Sequence, residues 1–177
     1  IEGKSAFPED HPLSLGSGGR ANSRPVKRYL EESDLILGLG VSFALTAFGV
    51  PMPPGKKIIH ATLDPMDLNK DVPADIGLIG DAKLTLTALN SELSNADNSK
   101  AAARANEPEK INELKEEWLQ EWLPKLTNNE APINPYRVVA ELNQLVDKEK
   151  VVITHDAGSP RDQITPFWES TAPLSYI

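Results

Sequence analysis

Apolar residues in the first half of the chain come in short runs, each too brief for a helix and each closed by glycine, proline or an acidic residue. Asp34 to Leu39 (D-L-I-L-G-L) is bounded by Gly40, and Lys57 to Leu63 (K-I-I-H-A-T-L) follows the punctuation Pro51-Met52-Pro53-Pro54-Gly55. A third run, Ile76 to Ile79, stands before Gly80-Asp81. Such runs suit buried parallel strands, because both faces of the strand then meet apolar side chains. Asp81 is placed as the N-cap of a helix carrying Leu84, Ala88 and Leu89 on one face. A shorter helix is predicted from about Ser23 to Glu32, after turn formers at Phe7-Pro8-Glu9-Asp10-His11-Pro12 and Gly16-Ser17-Gly18-Gly19. Strands alternating with helix-length segments predict an α/β fold, an open parallel sheet with helices on both faces, in which the three runs are parallel neighbours.

From Ser94 to Glu109 the chain turns to Asn, Ala, Ser and charge, which reads as a linker beside a domain boundary. Ile111, Leu114, Trp118, Trp122 and Leu126 then recur at helical spacing and form one apolar stripe, which packing against a domain explains better than a partner helix does. Asn134-Pro135 supplies an N-cap and first helical residue ahead of Tyr136, Val139, Leu142 and Val146. The β-branched run Val151-Val152-Ile153-Thr154 predicts a strand, and His155-Asp156-Ala157-Gly158-Ser159-Pro160 a strand-to-helix turn with Ser159 as the cap and Asp162 in the first helical turn.

Charge narrows the function classes. Eighteen Lys and Arg against 26 Asp and Glu leave a formal net charge of −8, which disfavours nucleic acid and anionic membranes as partners. With no cysteine there is no disulfide framework, Cys-ligated zinc or thiol nucleophile, and a cytoplasmic setting is expected. No apolar run approaches the roughly 18 residues that span a bilayer. The opening Ile1-Glu2-Gly3-Lys4 carries neither an initiator Met nor a signal peptide, so the chain is expected to begin inside a longer protein.

Candidate chemistry is sparse. Gly38-Leu39-Gly40 gives a G-x-G at a strand end, but Phe43 stands where a dinucleotide fingerprint needs its third small residue. Asp64, just after the next strand, lies where a ribose-binding acid sits, and the alternative is that the glycines only make room for a tight turn. His11, His60 and His155 show no metal-ligand spacing; His60 falls inside a strand, whereas His155 lies at a strand's carboxyl end, where open α/β sheets place ligands. There is no paired-carboxylate motif, nucleophile elbow or Walker loop.

Three stretches together resemble one family. Gly3-Lys4-Ser5-Ala6-Phe7-Pro8-Glu9-Asp10-His11-Pro12-Leu13-Ser14-Leu15-Gly16 is similar to G-K-x-x-F-P-x-x-H-P-x-x-x-G in the central domain of the thiamine diphosphate-dependent enzymes of the acetolactate synthase, pyruvate oxidase and benzoylformate decarboxylase type. Ser33 to Gly40, Ile58 to Asp64 and Gly80 to Lys83 resemble that domain's strand ends. Ile133 to Val138 with Thr154 to Gly158 resembles the entry into the pyrophosphate-binding domain.

The resemblance implies a Rossmann-like central domain over residues 1–97 without its first βα units, a linker with its amphipathic helix over 98–131, and the start of the pyrophosphate-binding domain over 132–177. It also implies that the full-length protein is a lyase or carboligase dependent on thiamine diphosphate and Mg²⁺, acting on a 2-oxo acid or related small molecule and assembling as a homodimer or homotetramer. The family's cofactor-activating glutamate and its metal-binding G-D-G motif do not occur between Ile1 and Ile177, so no catalytic or metal-binding residue is assigned and the chain alone is expected to be inactive. Asp156, Ala157, Gly158 and Ser159 are the implied contacts to the diphosphate. Gly40 and Asp64 are the positions open to an ADP-like group. Flavin is not expected, because Phe43-Ala44-Leu45-Thr46 lacks the Asp and Arg that flavin-bearing synthases place there. The competing readings are an NAD- or FAD-binding oxidoreductase domain and a non-catalytic structural module.

Overall fold

The computed structural model describes residues 3–17, 23–46, 51–97 and 102–177. Gly18 and Gly19 of the predicted turn, and 98–101 of the predicted linker, lie outside the described residues. The elements in chain order are α1 (Arg24–Glu32), β1 (Leu35–Leu39), β2 (Lys57–Thr62), β3 (Ile76–Ile79), α2 (Ala82–Asn95), α3 (Glu107–Leu126), α4 (Pro135–Leu145) and α5 (Ser159–Ile164). They form two compact units, one of Ile1–Arg28 with Asn106–Ile177 and one of Tyr29–Ala105.

The Tyr29–Ala105 unit is built on the predicted parallel sheet, in the order β1-β2-β3. Leu35 pairs with Lys57 and Leu39 with Ala61, while Ile59 pairs with Ile76 and Thr62 with Ile79. Asp81 caps α2 as its spacing predicts, its Oδ1 accepting from the Leu84 amide at 3.0 Å. Two expectations change. The link from β2 to β3 holds only a 3-10 turn, Pro65–Asp67, and no α-helix, because Asp64 caps that turn and Asn69, at φ 58°, leaves helical geometry. The strands are also half exposed: Leu35, Leu37, Ile76 and Ile79 are 46–53% accessible, and α2 buries no residue, with Leu84 at 70%.

A row centred on one buried residue runs across the middle of the sheet. His60 is fully buried and is paired with Gly38 on one side and Gly77 on the other. Both glycines lie close beneath a folded-over side chain. A Cβ on Gly38 would stand 2.3 Å from the Phe43 ring, and one on Gly77 would stand 2.9 Å from Leu68. The chain after β1 therefore folds back, with Phe43 at φ 52°, and sets its ring edge-on against His60 at 4.9 Å. The His60 Nε2 lies 2.6 Å from the Val41 carbonyl oxygen, which fixes the proton on Nε2. The segment 41–46 is not helical, so the G-x-G opens no helix among the described residues.

The other unit has an aromatic core of Val139, Phe167, Trp168 and Tyr176. The α3 stripe packs as predicted: Ile111 and Leu114 are buried, and Trp118, Trp122 and Leu126 lie on the core cluster. Trp118 stacks on Phe167 at 4.9 Å, and Trp122 contacts both Tyr136 and Phe167. Asn134 caps α4, accepting from the Tyr136 amide at 3.0 Å. The strand expected at Val151–Thr154 is reduced to one parallel bridge, Ile153 to Tyr176, because only Ser175 and Ile177 reach its backbone.

Gly38→Ala should destabilise the sheet unit by about 1–3 kcal/mol, since the added methyl displaces the Phe43 ring, whereas alanine would otherwise favour a strand. Chemical denaturation measures this, and an unchanged or higher midpoint would show that Phe43 is free to move.

Candidate functional site

The opening motif folds into a loop that is bonded mostly to itself. The His11 Nδ1 accepts from the Leu13 amide at 3.1 Å, Phe7 meets the His11 ring edge-on, and the Ser14 Oγ accepts from the Gly16 amide. What attaches this loop to distant chain is a buried ion pair. The Lys4 ammonium donates to the Glu9 carboxylate and to the Trp168 carbonyl oxygen at 2.7 Å. Glu9 accepts from the Ser170 amide at 2.8 Å and from the Ser17 hydroxyl at 3.0 Å, while its own amide donates to the Ser170 carbonyl oxygen at 2.9 Å. The two side chains are 1% and 7% exposed. Burial pushes the Lys4 pKa below its ordinary 10.5, and attraction to Glu9 opposes that shift only in part.

Tyr176 carries the connection onward. Lys4 Nζ stands 5.3 Å from the Tyr176 ring centroid, and the His155 ring packs 5.1 Å from the same ring. The Tyr176 hydroxyl shares a 2.7 Å hydrogen bond with the Thr165 Oγ1. Burial raises the Tyr176 pKa, although the Thr165 hydrogen bond works against this.

The turn predicted to receive an anion follows His155. Its Nδ1 lies 3.1 Å from the Asp156 carbonyl oxygen, while its Nε2 is buried without a partner among the described residues. The Ala157 amide is taken by the Asp156 carboxylate at 2.7 Å. Gly158, not Ser159, is the N-cap of α5: it adopts φ 85°, and Ser159 is the first helical residue with no side-chain cap bond. The serine was expected to cap as the first residue of an S-x-x-D pattern ending at Asp162, but a left-handed glycine already turns the chain into the helix. A Cβ built on Gly158 meets nothing within 4 Å, so the space beside it is open.

In the other unit, Gly40 and Asp64 both lie beyond the carboxyl ends of adjacent strands. Gly40 adopts φ 63° and donates to the Ala61 carbonyl oxygen, and Asp64 spends Oδ1 on the Met66 amide at 2.9 Å. The six candidate residues therefore divide, Asp156 to Ser159 in one unit and Gly40 with Asp64 in the other. No cluster of His, Cys, Asp or Glu able to hold a metal is present among the described residues. Lys4 was read only as a position of the G-K motif and Glu9 as a variable one; a lysine and an acid five residues apart in a polar loop carry no signal of burial.

The open parallel α/β sheet and the G-K-x-x-F-P-x-x-H-P loop both fall within the stretch that matches a known family. Residues 1–89 match the family described as thiamine pyrophosphate enzyme, central domain, and the chain belongs to this family. Along its whole length the chain is similar to two archaeal proteins, each described as "probable acetolactate synthase large subunit": 29% identical to that of Methanococcus aeolicus and 30% identical to that of Methanocaldococcus jannaschii. It is also 27% identical, over 87% of its length, to the chloroplastic acetolactate synthase 1 of Zea mays. The chain spans 31% and 30% of the two archaeal relatives.

Glu9→Leu should cost about 3–5 kcal/mol, because it strands the Lys4 ammonium in the interior, and adding Lys4→Met should restore most of the loss. Urea unfolding measures both, and a loss of under about 1 kcal/mol for Glu9→Leu would contradict the buried pair. The lowered Lys4 pKa fixes a pH dependence as well. Between the folded value and 10.5 the unfolded chain binds more protons than the folded one, so stability relative to Lys4→Met should rise with pH through that window. A relative stability that falls there would reverse the assigned cause.

Proposed function

We propose that the full-length protein containing this chain is an acetolactate synthase-like enzyme that requires thiamine diphosphate and Mg²⁺ and acts on a 2-oxo acid or related small molecule. The observation that carries this reading is the family match over residues 1–89, together with whole-chain similarity to acetolactate synthase large subunits. Bound thiamine diphosphate supplies a carbon nucleophile for the 2-oxo acid carbonyl and a sink for the electron pair released on decarboxylation.

Two features of the His155 turn support a cofactor seat. Gly158 holds a left-handed conformation beside open space, so an anion can approach the backbone where a side chain would obstruct it. The buried His155 Nε2 has no partner among the described residues; with Nδ1 donating to the Asp156 carbonyl oxygen it is an acceptor, and an N–H or O–H of a bound cofactor would satisfy it. With the Ala157 amide engaged by Asp156, the amides of Gly158 and Ser159 face the anion in this proposal, and the Asp156 carboxylate fixes the turn. The chain's part is to position and hold one end of the cofactor.

The remaining assignments follow from the same reading. Residues 1–97 serve as the central domain, 98–131 as the linker and 132–177 as the opening of the pyrophosphate-binding domain, in a cytoplasmic homo-oligomer. Gly40 and Asp64 mark the carboxyl edge available to an ADP-like group. No flavin is bound, since Phe43 fills the turn after β1 and Ala44 and Leu45 offer no polar side chain.

The full-length protein should bind thiamine diphosphate only with Mg²⁺ present, consume a 2-oxo acid with release of carbon dioxide, and be colourless as purified. Calorimetry and a decarboxylation assay measure the first two and absorbance the third. Absence of Mg²⁺-dependent cofactor binding would overturn the function, and stoichiometric flavin released on denaturation would overturn the flavin assignment.

A further inference from the structure

The Asp156–Ser159 turn has little of its own to hold it in place. All four residues are exposed, and outside α5 their hydrogen bonds run only to one another and to His155 among the described residues. The chain on either side of the turn is fixed more firmly. It enters through Ile153, whose amide donates to the Ser175 carbonyl oxygen at 2.9 Å and whose carbonyl oxygen accepts from the Ile177 amide at 2.9 Å. It leaves through α5 and reaches Thr165, which is fully buried.

Tyr176 touches both sides. Its ring packs 5.1 Å from the His155 ring, its backbone neighbours bracket Ile153, and its hydroxyl lies 2.7 Å from the Thr165 Oγ1. The direction of the last bond follows from the donors available. The Thr165 Oγ1 also lies 2.6 Å from the Arg161 carbonyl oxygen, which can only accept, so the single threonine hydrogen is spent there. The Tyr176 O–H is therefore the donor to Oγ1, and two hydrogen bonds in series run from Tyr176 through Thr165 to Arg161 in α5. Burial holds the phenol pKa above its ordinary 10.0, so this donor keeps its proton at neutral pH.

We propose that Tyr176 is a positioning residue for the cofactor seat: it sets the separation of His155 and α5, and with it the placing of the Gly158 and Ser159 amides between them. This rests on the function proposed above. An exposed turn with few bonds of its own takes its geometry from its two ends, and fixing those ends in advance spares the ligand the cost of ordering them. The hydroxyl bonds to Thr165, away from the turn, so its loss alters how readily the seat forms and not the chemistry of a cofactor already bound.

The test uses the full-length protein with thiamine diphosphate and Mg²⁺, read by calorimetry and by the dependence of rate on cofactor concentration, with urea unfolding alongside. Tyr176→Phe keeps the ring against His155 and removes the hydroxyl; it should weaken cofactor binding about fivefold and leave the rate at saturating cofactor as it was. Thr165→Val removes the acceptor and should weaken binding as well, whereas Thr165→Ser keeps Oγ1 and should bind as the wild type does. Tyr176→Phe combined with Thr165→Val should lose no more than Thr165→Val alone, because the shared bond is already gone. Either single variant decides the matter should the other fail to fold. Unchanged affinity in a folded variant, even with a lowered urea midpoint, would make the bond merely structural and overturn the proposal. So would a loss in Thr165→Ser equal to that in Thr165→Val. No cofactor binding by the wild-type protein would overturn the functional reading and this proposal with it.

Discussion

The structure of the Ile1–Arg28 and Asn106–Ile177 unit depends on one buried ion pair, Lys4 with Glu9. Two charges inside a protein are tolerated only when nearly every lone pair and proton on them is used. Here the ammonium has the Glu9 carboxylate and the Trp168 carbonyl, and the carboxylate also takes the Ser17 hydroxyl and the Ser170 amide. The geometry can be satisfied only when the opening loop and the segment around Trp168 to Ser170 are in register. The pair therefore specifies an arrangement more than it adds stability. Through the Tyr176 ring it also fixes the surroundings of His155, so the motif loop and the proposed diphosphate turn share one scaffold.

The Tyr29–Ala105 unit has a different centre, one of volume rather than charge. Gly38, His60 and Gly77 form a row across the sheet, and the two missing side chains make room for Phe43 and Leu68 to fold over it. The G-x-G pattern thus serves packing at its first glycine and chain reversal at its second. A phosphate-binding loop of the dinucleotide kind needs a helix directly after the glycines, and here Phe43 occupies the space that such a turn would leave open.

Local signals were legible in the amino-acid sequence. The three strands, the Asp81 and Asn134 caps and the α3 stripe each follow from residues within a turn or two of one another, and each forms where its pattern puts it. Membership of the thiamine diphosphate family was equally legible, because its motifs keep their order along the chain. Long-range pairing was not. Glu9 and Ser170 are joined by hydrogen bonds across 161 positions, and nothing in either neighbourhood announces the other. Ser159 was misread as a cap because glycine's freedom at φ 85° depends on the path of the chain, and the run at 151–154 shortened to a bridge because a strand's length is set by its partner. Of the candidate site, the location of the turn was readable, while the orphaned His155 nitrogen and the open space at Gly158 required coordinates.

Amide hydrogen exchange at Glu9 and Ser170 tests most directly whether the buried pair holds the opening loop to the distant segment. The two residues exchange backbone and side-chain bonds with each other, so in Glu9→Gln, where the ionic bond to Lys4 is lost, both amides should lose protection together while the Leu84 amide at the α2 cap is unaffected. Protection of Ser170 unchanged in that variant would contradict the account, because the segment would then be held in place without Glu9.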